Sequence, residues 1–407
     1  MFGKKSNSAG LFILVLAVGL SSFTCSKEAD ENAIRVGAIV SMTGMNAMTG
    51  YEQKWAYEQA ISDINKNGGV YVQELDKKMP IKLIFADDKS MPDQGAAAME
   101  RLIKINKIDL ALSSNVTPIN IAAGTKCEQY KVYYQIVCSW IDFIERESFR
   151  WVSDMFASSS ESSRAPFLIW QRLREDQRPR RPALMMEDNL DGQGFGQGFK
   201  KFAREYAYQF AVDEPYAPGS KDFSSHILKW KAAGVDALIW LGSPTDGITL
   251  LRQMKEQDLR LKYIHGWKGF WTTEFVEDLG KESNYIIHDG FWTEKSGAPG
   301  AQELGERFRK EFKKDSVSVG LYYANPQILA MAIEKAGSYD SAKVRDAVFG
   351  GEFMGTVMGD VKFNDKGLAF KPLIALQWWN GERMPVYPPV PDVWELKLAP
   401  MNEMESL

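Results

Sequence analysis

The sequence has 407 residues, 45% hydrophobic and 25% charged, the balance of a soluble globular protein large enough for two or three apolar cores. Its 49 basic and 53 acidic residues give a formal charge of −4, so no basic excess exists to hold nucleic acid or an anionic membrane surface.

Lys4 and Lys5 precede the apolar run LFILVLAVGL at 11–20. Ten apolar residues are too few for a bilayer span, which needs about 20, but they suit the core of a secretory signal. Residues 1–25 are therefore expected to be removed and the rest exported. Their loss takes two lysines and no acid, leaving 47 basic against 53 acidic residues. Cys25, followed by SKEADEN, resembles a bacterial lipoprotein cleavage site, although Phe23 and Thr24 are larger than that pattern prefers. Lipidation at Cys25 and ordinary cleavage nearby both stay open. Nothing past residue 25 is long and apolar enough to cross a membrane, so a lipid would be the only anchor.

Short apolar strands then alternate with amphipathic helices. IRVGAIV (34–40) leads to a helix from about Gln53 to Asn65, closed by Gly68 and Gly69. IKLIFADD (81–88) precedes a helix from Asp93, IDLALSS (108–114) one from Thr117, and VYYQIVCS (132–139) an irregular connection and a helix from about Ser160. A second series starts at PALMMED (182–188), with a helix from about Gly198, and continues through YQFAVDEPY (208–216), ALIWLG (237–242) and LKYIHG (261–266). Their helices start near Ser224, Thr245 and Thr272. Apolar runs of this length, each followed by a 3.6-residue period, predict parallel sheets covered by helices. The repetition predicts an α/β protein of two doubly wound, Rossmann-like lobes. Helical segments at 301–314 and 318–337 and strand-like GTVMGDVKFN (355–364) and LIALQWWNGE (373–382) must complete the sheets, which requires a multi-crossing hinge. The expected lobes are 33–152 plus about 290–352, and 153–289 plus about 353–400. The Pro-rich tail from Pro388 is expected to run over the surface.

Signatures of catalysis are scarce. His226, His265 and His288 have no metal-pair spacing, and neither a nucleophile elbow nor a Walker loop occurs. The glycines of DGQGFGQGF (191–199) alternate, which reads as a strand-to-helix turn. Asp87 and Asp88, adjacent in an extended segment, point apart. Cys127 and Cys138, placed late in a helix and at the far end of the next strand, are too distant for a disulfide and are expected as free thiols. The arginine-rich 172–182 stretch is interrupted by Glu175 and Asp176 and reads as a solvated loop rather than a docking patch. What stands out is aromatic: Trp140, Trp267, Phe270, Trp271, Phe291 and Trp292 fall at or just beyond strand ends, the edge where open α/β sheets bind ligands.

From about Ala33 to Gly381 the sequence resembles the branched-chain amino acid class of periplasmic binding proteins, the extracytoplasmic receptors of ABC transporters. The matching stretches are IRVGAIVSMTG (34–44), AISDINKNGG (60–69), SKDFSSHILKWKAAGVDAL (220–238), LLRQMKEQDL (250–259) and TVMGDVKFNDKG (356–367), in order and over nearly the whole mature chain. The resemblance implies the type I periplasmic binding fold, in which two lobes close on a ligand and then dock on a membrane permease. It also implies site positions. After the third strand, a serine hydroxyl and helix-start amides usually hold the ligand carboxylate. Ser114 stands there with Asn115 and Thr117 beside it, although capping the helix would also explain them. At the end of the fourth strand stand Cys138, Ser139 and Trp140, with Trp140 where a hydroxyl is usual. The second lobe's aromatic falls on Ser243, a first-loop aromatic on Thr49, and the acid that pairs with an amino acid's ammonium on Lys268.

A lysine at that position would set two cations together in a partly desolvated cleft. Lys268 instead suits an anionic group or a carbonyl oxygen, with Trp140, Trp267 and Trp271 packing an apolar or aromatic body. The other reading is that Lys268 extends into water. The expectation is an exported receptor without cofactor, metal or catalysis, which takes a small carboxylate or amide-like molecule and delivers it to an ABC permease. A sensing module of the same fold, a true branched-chain amino acid binder and an exported two-lobe enzyme are the alternatives. The last would need an acid–base or nucleophilic set that the sequence does not offer.

Overall fold

Near-continuous burial along the strands, six of the seven residues in Ile34–Val40 for example, marks sheets covered on both faces. The computed structural model describes Met1, Gly3 and residues 32–44, 46–390 and 394–400, without the side chains of Leu190, Asp191, Lys268 and Glu274. The expected signal segment and Cys25 lie outside the described residues.

The strands in chain order are β1 (Ile34–Val40), β2 (Val70–Val72), β3 (Lys77–Met79), β4 (Ile81–Asp87), β5 (Leu110–Leu112), β6 (Tyr134–Val137) and β7 (Val152–Phe156). Then follow β8 (Pro182–Glu187), β9 (Val212–Tyr216), β10 (Ala237–Gly242), β11 (Tyr263–Lys268) and β12 (Ile286–Gly290). Last come β13 (Glu352–Thr356), β14 (Gly359–Lys362), β15 (Leu368–Phe370), β16 (Ile374–Trp379) and β17 (Glu382–Tyr387). One sheet has the order β15-β7-β6-β5-β1-β4 and is wholly parallel. The other is β17-β16-β12-β11-β10-β8-β9, parallel from β12 to β9 and antiparallel at β16 and β17. Both belong to one compact unit that begins at Ile34.

The period of two in each strand sorts its residues onto two cores. In the first sheet Val36, Ala38 and Val40 meet the helices Ala47–Lys66, Ala301–Phe312 and Val319–Ala336. Ile39, Ala111 and Ile136 face the helices Pro92–Lys104 and Thr117–Tyr130. In the second sheet Leu238 and Trp240 take one core, and Ala237, Ile239 and Leu241 the other. Each fully buried Ile or Leu contributes about 2 kcal/mol by leaving water.

The expected lobe boundaries need correction. β7 lies wholly in the first sheet, so that lobe runs on to about residue 156. β15 pairs in parallel with β7, Leu368 opposite Asp154, and the β13–β14 hairpin buries Phe353, Val357 and Val361 with the first lobe. The segment 353–370 therefore completes the first lobe, and the second resumes only at β16. An alternating strand fits either sheet equally well, and only its pairing decides. The chain passes between sheets after β7, after β12 and after β15. The tail is also closer than expected: Trp394, Leu396 and Leu398 pack on the second lobe's core, and Trp394 Nε1 donates to Gln377 Oε1 at 3.2 Å. Cys127 and Cys138 are free thiols.

Candidate functional site

The carboxyl ends of β5, β6 and β7 on one side and of β10, β11 and β12 on the other border a cleft of about 1200 Å³. That volume takes a small organic molecule.

On the first lobe, the helix Thr117–Tyr130 starts at the cleft with Pro118 in its first turn and no side-chain cap on Val116. Its first amides are thus left for water or a ligand. Asn115 lines the cleft; its Nδ2 donates to Thr49 Oγ1 at 2.5 Å, while its Oδ1 is buried without a partner. Ser114 and Ser139, expected at the ligand, do not line the cleft. The Ser114 hydroxyl donates to the buried Asp88 carboxylate at 2.5 Å, and Asn120 Nδ2 donates to Ser139 Oγ at 2.9 Å. Asp88 also accepts from Ser41 Oγ at 2.7 Å, so the two serines belong to an internal polar network that ties strand ends together. Asp87 turns away to accept from Thr43 Oγ1 at 2.6 Å.

Cys138 and Trp140 line the cleft. Burial, partly offset by the Tyr322 hydroxyl, pushes the Cys138 thiol up to about 12, so it stays neutral.

On the second lobe, Ser243 is not a cleft residue. Its Oγ accepts from Asp246 N at 3.2 Å and caps the helix Pro244–Glu256, leaving Thr245 and Ile248 on the wall. β11 runs two residues past its expected end, because its pairing with β10 continues to Gly242 opposite Lys268. Trp267 is consequently a strand residue, 1% exposed, stacked on His265 at 4.5 Å and edge-on to Phe199 at 4.8 Å, and it still borders the cleft. Burial pushes His265 down to about 3, so its ring is neutral. Lys268 closes β11, and its side chain lies outside the described part. Trp271 lines the cleft and donates from Nε1 to Asp289 Oδ1 at 2.6 Å. Phe270 and Trp292 turn inward instead: Phe270 stacks on Trp240 at 4.9 Å, and Trp292 Nε1 donates to Val357 O at 3.0 Å.

The rings at the cleft form a continuous series. Trp271 meets Phe291 at 5.3 Å, Phe291 meets Phe156 at 4.8 Å, and Phe156 meets Trp140 at 5.1 Å. Trp140 meets Phe195 at 5.2 Å, and Phe195 meets Trp267 at 6.2 Å. The series passes between the two lobes twice, at Trp271–Phe291 and at Trp140–Phe195. Sequence reasoning missed Phe156, Phe195, Glu52, Thr272 and Arg383, all of which line the cleft. Phe195 was visible in principle, four residues before Phe199 in a helix and so on the same face. Arg383 carries no local signal; it is placed by an ion pair with Asp315, a bond to the Trp271 carbonyl, and the Trp378 ring 4.1 Å away.

Close backbone approach sets the helix that carries Asn46, Thr49 and Glu52 to the cleft. A Cβ at Gly50 would stand 1.9 Å from the Ser41 carbonyl oxygen. Gly50→Ala is expected to displace this helix start, costing about 1–3 kcal/mol in urea unfolding and weakening ligand binding together with it.

A family profile described as "Periplasmic binding protein" matches residues 33–382. The chain is 26% identical over 396 residues to the Leu/Ile/Val-binding protein homolog 2 of Brucella abortus (strain 2308), covering 93% of this chain and 97% of that protein. It is similar to the branched-chain amino acid transporter substrate binding protein LivJ from Streptococcus pneumoniae, solved with isoleucine: TM-score 0.72, 18% identity, 90% and 100% of the two chains covered. It is also similar to an ABC transporter solute binding protein from Rhodopseudomonas palustris BisB5, solved with 3,4-dihydroxy benzoic acid: TM-score 0.69, 18% identity, 86% and 95% covered.

Proposed function

Since the chain belongs to the periplasmic binding protein family, we propose that it is an exported receptor closing on a small organic solute with an aromatic or apolar body, which it hands to an ABC permease. The observation that carries this reading is the ring series from Trp271 to Trp267 along the cleft, which offers an apolar body face and edge contacts from both lobes. Polar recognition would come from Asn115 Oδ1 and Thr272 Oγ1, buried at the cleft without partners, and from the uncapped start of the helix Thr117–Tyr130. Trp140, Trp267 and Trp271 keep their proposed roles, and Lys268 stays a candidate by its position at the end of β11. Cys138 stands on the wall, while Ser114, Ser139 and Ser243 fix the strand and helix ends behind it. The Rhodopseudomonas relative, solved with a dihydroxybenzoic acid, supports an aromatic body.

Branched-chain amino acids are the second reading, favoured by the name of the Brucella relative. They need a carboxylate for the ammonium. Glu52 lines the cleft, but Lys314 holds it at 3.3 Å and Ser316 at 2.7 Å. A thermal-shift panel on the purified protein, unfolded and refolded to strip bound ligand, separates the two. Each amino acid is paired with the acid that lacks its amine. Stabilisation by several degrees is expected from aromatic amine-free acids, whereas stabilisation by leucine, isoleucine or valine alone would refute the aromatic reading.

A further inference from the structure

A second cavity of about 410 Å³ adjoins the cleft, and Thr273, Lys314, Asp315, Ser316 and Arg383 line both. Its character differs. Among the described residues, the charges on the main cleft balance, Lys314 and Arg383 against Glu52 and Asp315. The second cavity has Lys295, Arg309, Lys313, Lys314 and Arg383 against Glu294, Asp315 and Glu382. Each of these acids is already engaged by a cation: Glu294 by Arg309, Asp315 by Arg383, and Glu382 by Lys295 at 2.9 Å. Lys313 reaches only the Lys310 carbonyl, at 2.8 Å, with no acid in ion-pair range among the described residues. Lys314 pairs with Glu52 of the main cleft at 3.3 Å, so the cation left over is Lys313, beside the apolar surfaces of Trp292, Phe308 and Leu376, which sharpen its field.

The walls come from both lobes. The helix Ala301–Phe312 packs into the first lobe's core, whereas Leu376, Glu382 and Arg383 stand on β16 and β17 of the second sheet. The three ion pairs run in a circuit: first lobe to crossing segment (Arg309–Glu294), crossing segment to second lobe (Lys295–Glu382), and second lobe back to the first (Arg383–Asp315).

We propose that this cavity is an annex of the cleft that takes the carboxylate of a ligand whose aromatic body lies against the ring series. The ligand class is then an arylalkyl carboxylate rather than a zwitterion, and the anion, placed between the lobes, favours their closed arrangement. This rests on the receptor reading above. An ammonium carried next to the carboxylate would meet the same cation excess, which is the element that turns amino acids away.

The test measures binding of benzoate, phenylacetate and 3-phenylpropanoate, each beside its primary amide, to the full chain by calorimetry, in wild type, Lys313→Gln and Lys313→Glu. Lys313 is exposed at the end of its helix, so both variants should fold. The acid is expected to bind at least tenfold tighter than the amide, most strongly for the longer spacers. Lys313→Gln should cut this ratio at least threefold and Lys313→Glu should bring it near one. A ratio near one in wild type, or one unchanged in both variants, overturns the annex and leaves the receptor reading standing. Binding of free amino acids in place of both probe series also overturns the annex and leaves a receptor for amino acids. If no probe and no amino acid binds, both readings fall.

Discussion

Trp140→Ala is expected to weaken ligand binding about 100-fold, close to 2.7 kcal/mol, while lowering the melting temperature by only a few degrees. Trp140 is half-buried at the start of the helix Ile141–Glu147 and packs on cores of both lobes. Its neighbours Phe156 and Phe195, at 5.1 and 5.2 Å, belong to different lobes, so truncation opens the ring series where the lobes meet. A buried tryptophan covers roughly 150–250 Å², and even half of that shared with a ligand gives the stated loss at about 25 cal/mol per Å². The fold loses less, because no sheet residue moves. Trp140→Phe should keep affinity within tenfold, since a smaller ring still bridges Phe156 and Phe195. Calorimetry with a ligand found by the thermal-shift panel decides it. If Trp140→Ala binds within threefold of wild type, the ring series does not carry recognition.

The alternation of apolar strands and helices was legible because parallel strands are buried on both faces and read as unbroken runs such as ALIWLG. Where the chain turns polar, legibility fails, for reasons that lie in pairing. Nothing local separates Gly266 from Lys268 as the end of β11, since the register with β10 sets it. Ser114 and Asn115 are adjacent polar residues after the same strand, yet the first is claimed by Asp88, 26 positions away, and the second is left at the cleft. The inward turn of Asp88 and the outward turn of Asp87 follow from alternation, but which of them faces in depends on the register. β7 escaped notice because Ser153 and Asp154 interrupt its apolar run, although both are fully buried. Ser153 is satisfied by the Tyr133 hydroxyl at 2.6 Å. Asp154 is not.

Both carboxyl oxygens of Asp154 are buried without a hydrogen-bond partner, and burial, opposed only weakly by the Met155 amide, raises its pKa well above 3.8. The folded protein therefore holds the Asp154 proton to higher pH than the unfolded chain, which ionises it above about pH 4. Folding then takes up a proton, so the stability present below the unfolded pKa is lost as pH rises toward the folded one, by about 1.4 kcal/mol per pH unit. The Cys138 thiol, pushed up to about 12, stays neutral across this range and does not mask the slope. Asp154→Asn keeps the shape and a comparable buried polar group but cannot ionise, so it removes the slope. Urea unfolding should find the two proteins nearly equal at pH 4.5 and the variant increasingly the more stable as pH rises above it, by up to about 1.4 kcal/mol per pH unit while the folded wild type keeps its proton. Parallel pH profiles would mean that Asp154 folds as an anion. An unpaired carboxylate in that position would cost far more than the fold can offset, so a cation would then have to reach it.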